Sequence, residues 1–308
     1  IAVMSRAMVP VMEAEGYRKD FATATTAAGG LLAPIIPPSM LLVIYGVLAQ
    51  LPISDLFIAA IIPGLMLTGS FFVVVALIGL KQQFPKGEWM TPGAAGRALL
   101  AAVPAAMIPA VIVGSILFGI ATPTESAAIA SVIALLIGAL IYRDLNWSRF
   151  LTMFLRVAAS SSMVIFLIAA ANVFGWVVIY EALPQRLTAM LVELTRNPLV
   201  FLLIVMGVLF LVGMVIDGIA ALILVVPLLL PVAVDVYGIH PVQFGLVISL
   251  NLVLGLLTPP VGAGLYVAAA MSGARPTAIF VQLVPFLGVA LVVLLLLCFF
   301  PWLTLALI

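Results

Sequence analysis

The chain has 308 residues, 66% of them hydrophobic and 7% charged, with a net charge of +1. Soluble domains carry about 25% charged residues, so this composition excludes a soluble globular protein and leaves a polytopic membrane protein. The balanced charge offers no electrostatic footprint for nucleic acid or an acidic partner, and the single cysteine, Cys298, permits no intrachain disulfide and no cysteine-based metal site.

Residues 1–12 form an apolar arm, too short for a bilayer that takes about 20 residues to cross, and 13–20 is polar. The run 22–50 is long enough to cross but is interrupted by Pro34, Pro37 and Pro38. After a turn at 51–54, a span is predicted over 55–80, with Pro63-Gly64 near its start, then a polar loop over 81–97. A crossing over 98–121 ends at Thr122-Pro123-Thr124-Glu125, and 126–142 crosses back. Thr122 or Thr124 suits the N-cap of that helix, and Glu125 falls in its first turn, where a carboxylate is favoured. A polar connector over 143–156 precedes a span over 157–180 that contains Asn172 and Gly175. The stretch 181–197, with Pro184, Arg186, Glu193 and Arg196, is expected to lie at the interface as a short amphipathic helix.

Two apolar arms follow, 198–216 and 219–234, each near the lower limit for crossing and joined by Asp217-Gly218. An acid beside glycine at such a turn predicts a re-entrant hairpin whose tip lies inside the membrane. The run 243–271 is broken at Thr258-Pro259-Pro260 among glycines, and 276–308 is a last long apolar segment. An unsatisfied backbone group in a bilayer costs several kcal/mol, so a helix broken by a proline pair survives only where protein or a water-filled cavity covers it. The same device stands earlier, in GGLLAPIIPPSMLLVIY at 29–45. Two matched broken helices point to a midplane binding site in a secondary transporter.

Pro37-Pro38 and Pro259-Pro260 lie 222 residues apart, and Pro63 pairs with Pro285 at the same offset. Four predicted crossings separate the two broken helices, so these must run in opposite directions, as an inverted repeat. With the hairpin contributing no crossing, Arg6, Arg18, Lys19, Lys81, Lys86, Arg97, Arg143, Arg149, Arg156 and Arg275 fall on one side and only Arg186 and Arg196 on the other. The first side is then cytoplasmic. Charge alone does not separate the hairpin from two full spans; the Asp-Gly pair and the repeat favour the hairpin. Symmetry calls for another hairpin before the first broken helix, with 1–12 as its returning arm. The chain opens on Ile1 and shows no signal peptide, so the rest of that hairpin is expected upstream, in a longer protein.

Asp217 and Glu125 are the carboxylates set well inside apolar sequence, and an intramembrane carboxylate is a candidate functional group. Each also has a plainer reading, Asp217 as a helix cap and Glu125 as a first-turn charge. The Pro-Pro breaks free backbone carbonyls, hard oxygen ligands suited to Na⁺, and Thr258, Ser39 and Asn172 add side-chain oxygens. His240, the single histidine, sits in a polar turn beside Pro241. There is no metalloprotease, nucleophile-elbow or Walker signature, so neither an enzyme nor ATP hydrolysis is expected.

Five ordered motifs, GGLLAPIIPPSMLLVIYG, SDLFIAAIIPGLML, GIATPTESAAIA, GMVIDGIAALILVVPLLLPVA and NLVLGLLTPPVGAGLYVA, closely resemble the large membrane subunit (DctM-like) of TRAP transporters, the tripartite ATP-independent periplasmic transporters. The resemblance covers essentially the whole chain. It implies an all-α polytopic membrane protein with inverted repeats, re-entrant hairpins and broken helices, of the elevator type, in a bacterial inner membrane. It further implies Na⁺ as coupling ion and an organic acid such as a C4-dicarboxylate or sialic acid as substrate. A periplasmic substrate-binding protein would deliver that acid, and a small four-helix membrane subunit would brace the large one.

By motif, residues 1–50 and 157–272 would belong to the transport domain, 51–156 mainly to the scaffold, and 273–308 would be a C-terminal span. One Na⁺ site would lie between Gly213, Ile216 and Gly218 at the hairpin tip and Thr258 and Pro259 opposite; the other would use Pro37 and Pro38. Ser39, Asn172, Asp217, Thr258 and Gly262 would contact substrate. The chain departs from the family in having Gly218 where proline often follows the hairpin aspartate, and in lacking the first hairpin tip. These 308 residues alone are therefore expected not to transport. The alternative is a related two-hairpin Na⁺/carboxylate or citrate symporter that needs no binding protein; an intramembrane enzyme or a purely structural subunit fits less well.

Overall fold

The computed structural model describes residues 1–82, 84–85, 91–143 and 145–308. The described residues form helices, turns and loops, and no strand. Six helices are long and apolar enough to cross a membrane, or seven if one sharply bent pair counts as a span. The protein is a helical, multi-pass membrane protein with two compact units, 1–85 with 171–308, and 86–170.

The smaller unit holds α6 (Pro92–Leu117), α7 (Pro123–Leu136) with a π-helical extension (Ile137–Ile141), and the first part of α8 (Trp147–Tyr180). The predicted cap forms as a capping box: Thr122 Oγ1 accepts from Glu125 N–H at 3.3 Å, and Glu125 Oε2 accepts from Thr122 N–H at 2.8 Å. Glu125 is exposed, and both its oxygen partners are local, in keeping with its plainer reading. Buried Ser126 meets Ser115 at 2.8 Å and ties α7 to α6. The crossing predicted over 157–180 begins ten residues earlier, at Trp147. Asn146 Oδ1 caps the N–H of Arg149 at 2.8 Å, and Trp147, Phe150 and Phe154 stack along one face. Rings three and four residues apart meet on a helix, and that outweighs the polarity that suggested a connector.

The larger unit opens with α1 (Ala2–Ala14), α2 (Lys19–Gly29), α3 (Met40–Ala49), α4 (Ile53–Ala59) and α5 (Ile61–Gln82). After the end of α8 come α9 (Leu183–Leu194), α10 (Pro198–Gly213), α11 (Gly218–Pro231, extended by a π turn, Val232–Val236), α12 (Pro241–Gly255), α13 (Ala263–Ser272), α14 (Pro276–Phe299) and α15 (Trp302–Leu305). The last segment, predicted as one run, splits at Pro301, which has no N–H to continue the helix. The short α9 turns by 116° into α10.

The repeat is visible in the packing of this unit. At the offset of 222, α1 corresponds to α11, α2 to α12, α3 to α13, and α4 with α5 to α14. The partners exchange: α1 packs on α2 and on α13, while α11 packs on α12 and on α3. Helices α1 and α11 therefore each lean on the second half of the other copy's broken helix. At the centre is α12, buried at every residue from Pro241's neighbour Val242 to Gly255. Its buried amides donate to neighbouring helices: Gln243 Nε2 to Leu297 O at 3.0 Å and Asn251 Nδ2 to Met206 O at 2.8 Å, while Asn251 Oδ1 is buried with no hydrogen-bond partner among the described residues. A buried amide without such partners would cost about 1–3 kcal/mol, so these bonds hold α14 and α10 to the core helix. His240 sits exposed at the head of α12, with Nδ1 accepting from Val242 N–H. Cys298 is buried against Met206.

Candidate functional site

Both long apolar runs are broken where proline pairs demanded it. The first leaves helical geometry between Gly29 and Met40, the second between Gly255 and Ala263. The Pro37-Pro38 and Pro259-Pro260 peptide bonds are both cis. Among the described residues, the carbonyls of Ile35 to Pro38 and their counterparts of Leu257 to Pro260 accept no backbone hydrogen bond outside the helices. These are two sets of hard oxygen acceptors at equivalent places in the repeat.

The hairpin tip lies between the end of α10 at Gly213 and the start of α11 at Gly218. It is fastened to the second break by one main-chain bond, from Gly262 N–H to Met214 O at 3.0 Å. The fastening needs glycines. A Cβ on Gly255 would lie 2.6–2.9 Å from backbone atoms of Gly213 and Met214, and one on Gly213 would lie 3.0 Å from Leu252 O. Gly262 has φ +44°, and a Cβ there would lie 2.9 Å from Thr258 O. Gly262→Ala is therefore expected to displace the break and lose the bond to Met214, lowering protection of the tip at least about tenfold, a change worth about 1.4 kcal/mol. Hydrogen exchange at residues 213–218 checks this, and wild-type protection in the variant would show that the bond does not hold the tip.

The tip also faces the first break. A cavity of about 390 Å³ is lined by Pro34 and Pro38 of that break, Met40 and Leu41 at the start of α3, Asp217, Gly218 and Ile219 at the start of α11, and the last turns of α12. Asp217 is the one charged side chain among the lining residues. Its Oδ2 accepts from Ile219 N–H at 3.0 Å, which makes it the N-cap of α11, while its carboxylate remains exposed to the cavity. Two helix N-termini and one C-terminal end thus converge on a single chamber. N-termini favour anions and C-terminal carbonyls favour cations, so the chamber offers both kinds of ground.

The remaining sequence-predicted residues are distributed around it. Ser39 is buried and locally committed: its hydroxyl donates to Pro34 O and accepts from Leu42 N–H, capping α3. Thr258 is half-buried, and its Oγ1 donates to Leu254 O at 2.9 Å. Pro37 and Pro259 are half-buried within the breaks, and Ile216 is exposed at the tip. Asn172 lies exposed on α8, outside the cavity lining. The structure therefore joins Asp217 and Gly218 to Pro38, and Met214 to Gly262. It does not place Thr258 or Asn172 in the wall that Asp217 shares.

Sequence reasoning missed Met214 and Gly255. Met214 acts through its backbone, which its residue type does not reveal. Gly255 carried a usable signal, a glycine one turn before a proline pair, where only a backbone crossing calls for the absence of a side chain.

A family model described as "Tripartite ATP-independent periplasmic transporter, DctM component" matches residues 1–303. The chain is 37% identical over 295 residues to the sialic acid TRAP transporter large permease protein SiaM of Vibrio cholerae, covering 94% of this chain and 68% of that protein. It is 34% identical over 303 residues to the isethionate TRAP transporter permease protein DctMQ of Oleidesulfovibrio alaskensis, covering 98% of this chain and 47% of that protein. It is 31% identical over 313 residues to the C4-dicarboxylate TRAP transporter large permease protein DctM of Pseudomonas aeruginosa, covering 100% of this chain and 72% of that protein. The chain spans about half to about seven tenths of the length of these relatives.

Proposed function

This chain belongs to the DctM component family of tripartite ATP-independent periplasmic transporters, and from that premise we propose that it carries a small organic anion inward across a bacterial inner membrane on a Na⁺ gradient. The observation that carries the reading is the chamber itself, where the N-termini of α3 and α11 meet a carboxylate and the end of α12. Relatives named for sialic acid, isethionate and C4-dicarboxylates share one chemical feature, an anionic oxyacid group on a small organic molecule. The two helix N-termini suit that group, and the free carbonyls of 35–38 with Asp217, and separately those of 257–260, suit co-transported Na⁺.

The mechanism follows from differential binding. Na⁺ drawn to the carbonyls and Asp217 orders the tip against the breaks, and the ordered N-termini then hold the anion. A ligand shifts a conformational equilibrium only by its difference in affinity between the states; pairing ion and anion in one chamber makes the loaded state the one that moves. A periplasmic binding protein supplies the anion, and a small four-helix membrane subunit completes the assembly.

The test is uptake of labelled sialic acid, isethionate and a C4-dicarboxylate into proteoliposomes holding the full-length protein with the membrane and binding proteins encoded beside it. Uptake of one of them is expected under an inward Na⁺ gradient and not under K⁺. Uptake that persists without the binding protein would favour the self-sufficient symporter. Asp217→Asn keeps a capping side chain and removes the charge. It is expected to raise the Na⁺ concentration for half-maximal uptake about tenfold at unchanged thermal stability. Wild-type Na⁺ dependence in that variant would reduce Asp217 to a cap.

A further inference from the structure

Between α7 and the first turns of α8 runs a groove of about 750 Å³ that the transport chemistry does not use. Its walls are apolar over most of their length, with Leu135 on one side and Phe150, Met153 and Phe154 on the other. Polar residues sit at one end, where Tyr142 and Arg149 line it beside the interhelical turn. At the far end the Ser131 hydroxyl is already donated to Ala127 O at 2.8 Å. The groove is thus built like the complement of an amphiphile, with one polar end and a long apolar trough.

Its depth in the bilayer is marked by its own residues. Trp147, 77% exposed and stacked on Phe150, stands at the same end as Tyr142, and exposed Trp and Tyr settle at headgroup level. The sequence around that turn is net positive, with Arg143 and Arg149 against the one carboxylate of residue 144. That side carries the arginine excess that marks the cytoplasmic face, whose leaflet is rich in anionic lipid.

We propose that this groove is a binding site for an anionic phospholipid of the cytoplasmic leaflet, with the headgroup phosphate at Arg149 and Tyr142 and an acyl chain along Phe150, Met153 and Phe154. Charge complementarity at one end and apolar length at the other select this occupant over a zwitterionic lipid. Gly138 leaves the trough open: a Cβ there would meet nothing within 4 Å, so its missing side chain serves no packing contact.

Two variants test the site by different routes. The full-length protein is purified in detergent, and retention of phosphatidylglycerol and phosphatidylcholine, offered at equal concentration, is read by native mass spectrometry. The wild type is expected to retain phosphatidylglycerol several-fold over phosphatidylcholine. Arg149→Gln should bring the two near parity. Gly138→Leu should reduce retention of both while the thermal midpoint stays at or above wild type, since the side chain enters open space. Equal retention of the two lipids by the wild type overturns the proposal, as does an unchanged preference in Arg149→Gln or unchanged retention in Gly138→Leu. Loss of the lipid when the companion membrane subunit is added overturns it as well, because protein would then cover the groove.

Discussion

Gly255→Ala is expected to abolish uptake while leaving a folded protein in the membrane. The added Cβ would lie 2.6–2.9 Å from the carbonyl carbon and Cα of Gly213 and the nitrogen of Met214. All three are main-chain atoms, and no rotamer change relieves them, so the hairpin tip must lift away from α12. Extra methylenes in a packed core cost about 1–3 kcal/mol. Here the cost falls on one seam, and the Gly262–Met214 bond across it is the first contact to go. The reciprocal change, Gly213→Ala, places its Cβ 3.0 Å from Leu252 O and should be milder. The measurement is uptake beside hydrogen exchange over 213–218 for both variants, with loss of activity and of tip protection greater for Gly255→Ala. Full activity in Gly255→Ala would show that the seated tip is not needed for transport.

The largest effect on stability is expected at Gly245. A Cβ there would overlap one edge of the ring of Tyr45, a fully buried side chain whose hydroxyl donates to Pro241 O. The ring is held at its far end by that bond, and burial on all sides leaves it nowhere to recede. The contact joins α3, from the first repeat, to α12, the core of the second. Gly245→Ala should therefore cost at least the upper end of the overpacking range, about 3 kcal/mol, and lower the thermal midpoint by several degrees. Tyr45→Leu alone is also destabilising, because it opens a cavity and loses the hydroxyl bond to Pro241 O. Combined with Gly245→Ala it should return part of the loss, since residues in contact couple by about 0.5–3 kcal/mol. Strict additivity of the two changes would show that glycine and ring do not oppose one another.

Much of the fold could be read from residues in order. The proline pairs announced breaks because proline lacks the donor that a helix in lipid must satisfy. Asp217-Gly218 announced a turn, and Thr122 with Glu125 a cap, because those side chains satisfy helix ends locally. The start of α8 was misjudged because Arg149 and Arg156 suggested a connector, whereas Asn146 and the stacked rings after it decide for helix. The site was legible in outline only. Thr258 looks like a ligand in sequence and spends its hydroxyl on Leu254 O; Ser39 looks like one and caps α3. Met214 looks like filling and contributes the carbonyl that holds the break.

The helical, multi-pass class, the two breaks and their repeat at one offset were determined by the sequence itself, because hydropathy and missing donors act through each residue and its near neighbours. Which break the hairpin acid faces was decided only in three dimensions. Asp217 shares a chamber with Pro38, roughly 180 residues away in the chain, and Met214 reaches Gly262, because glycines at 213 and 255 let two backbones approach where any side chain would hold them apart.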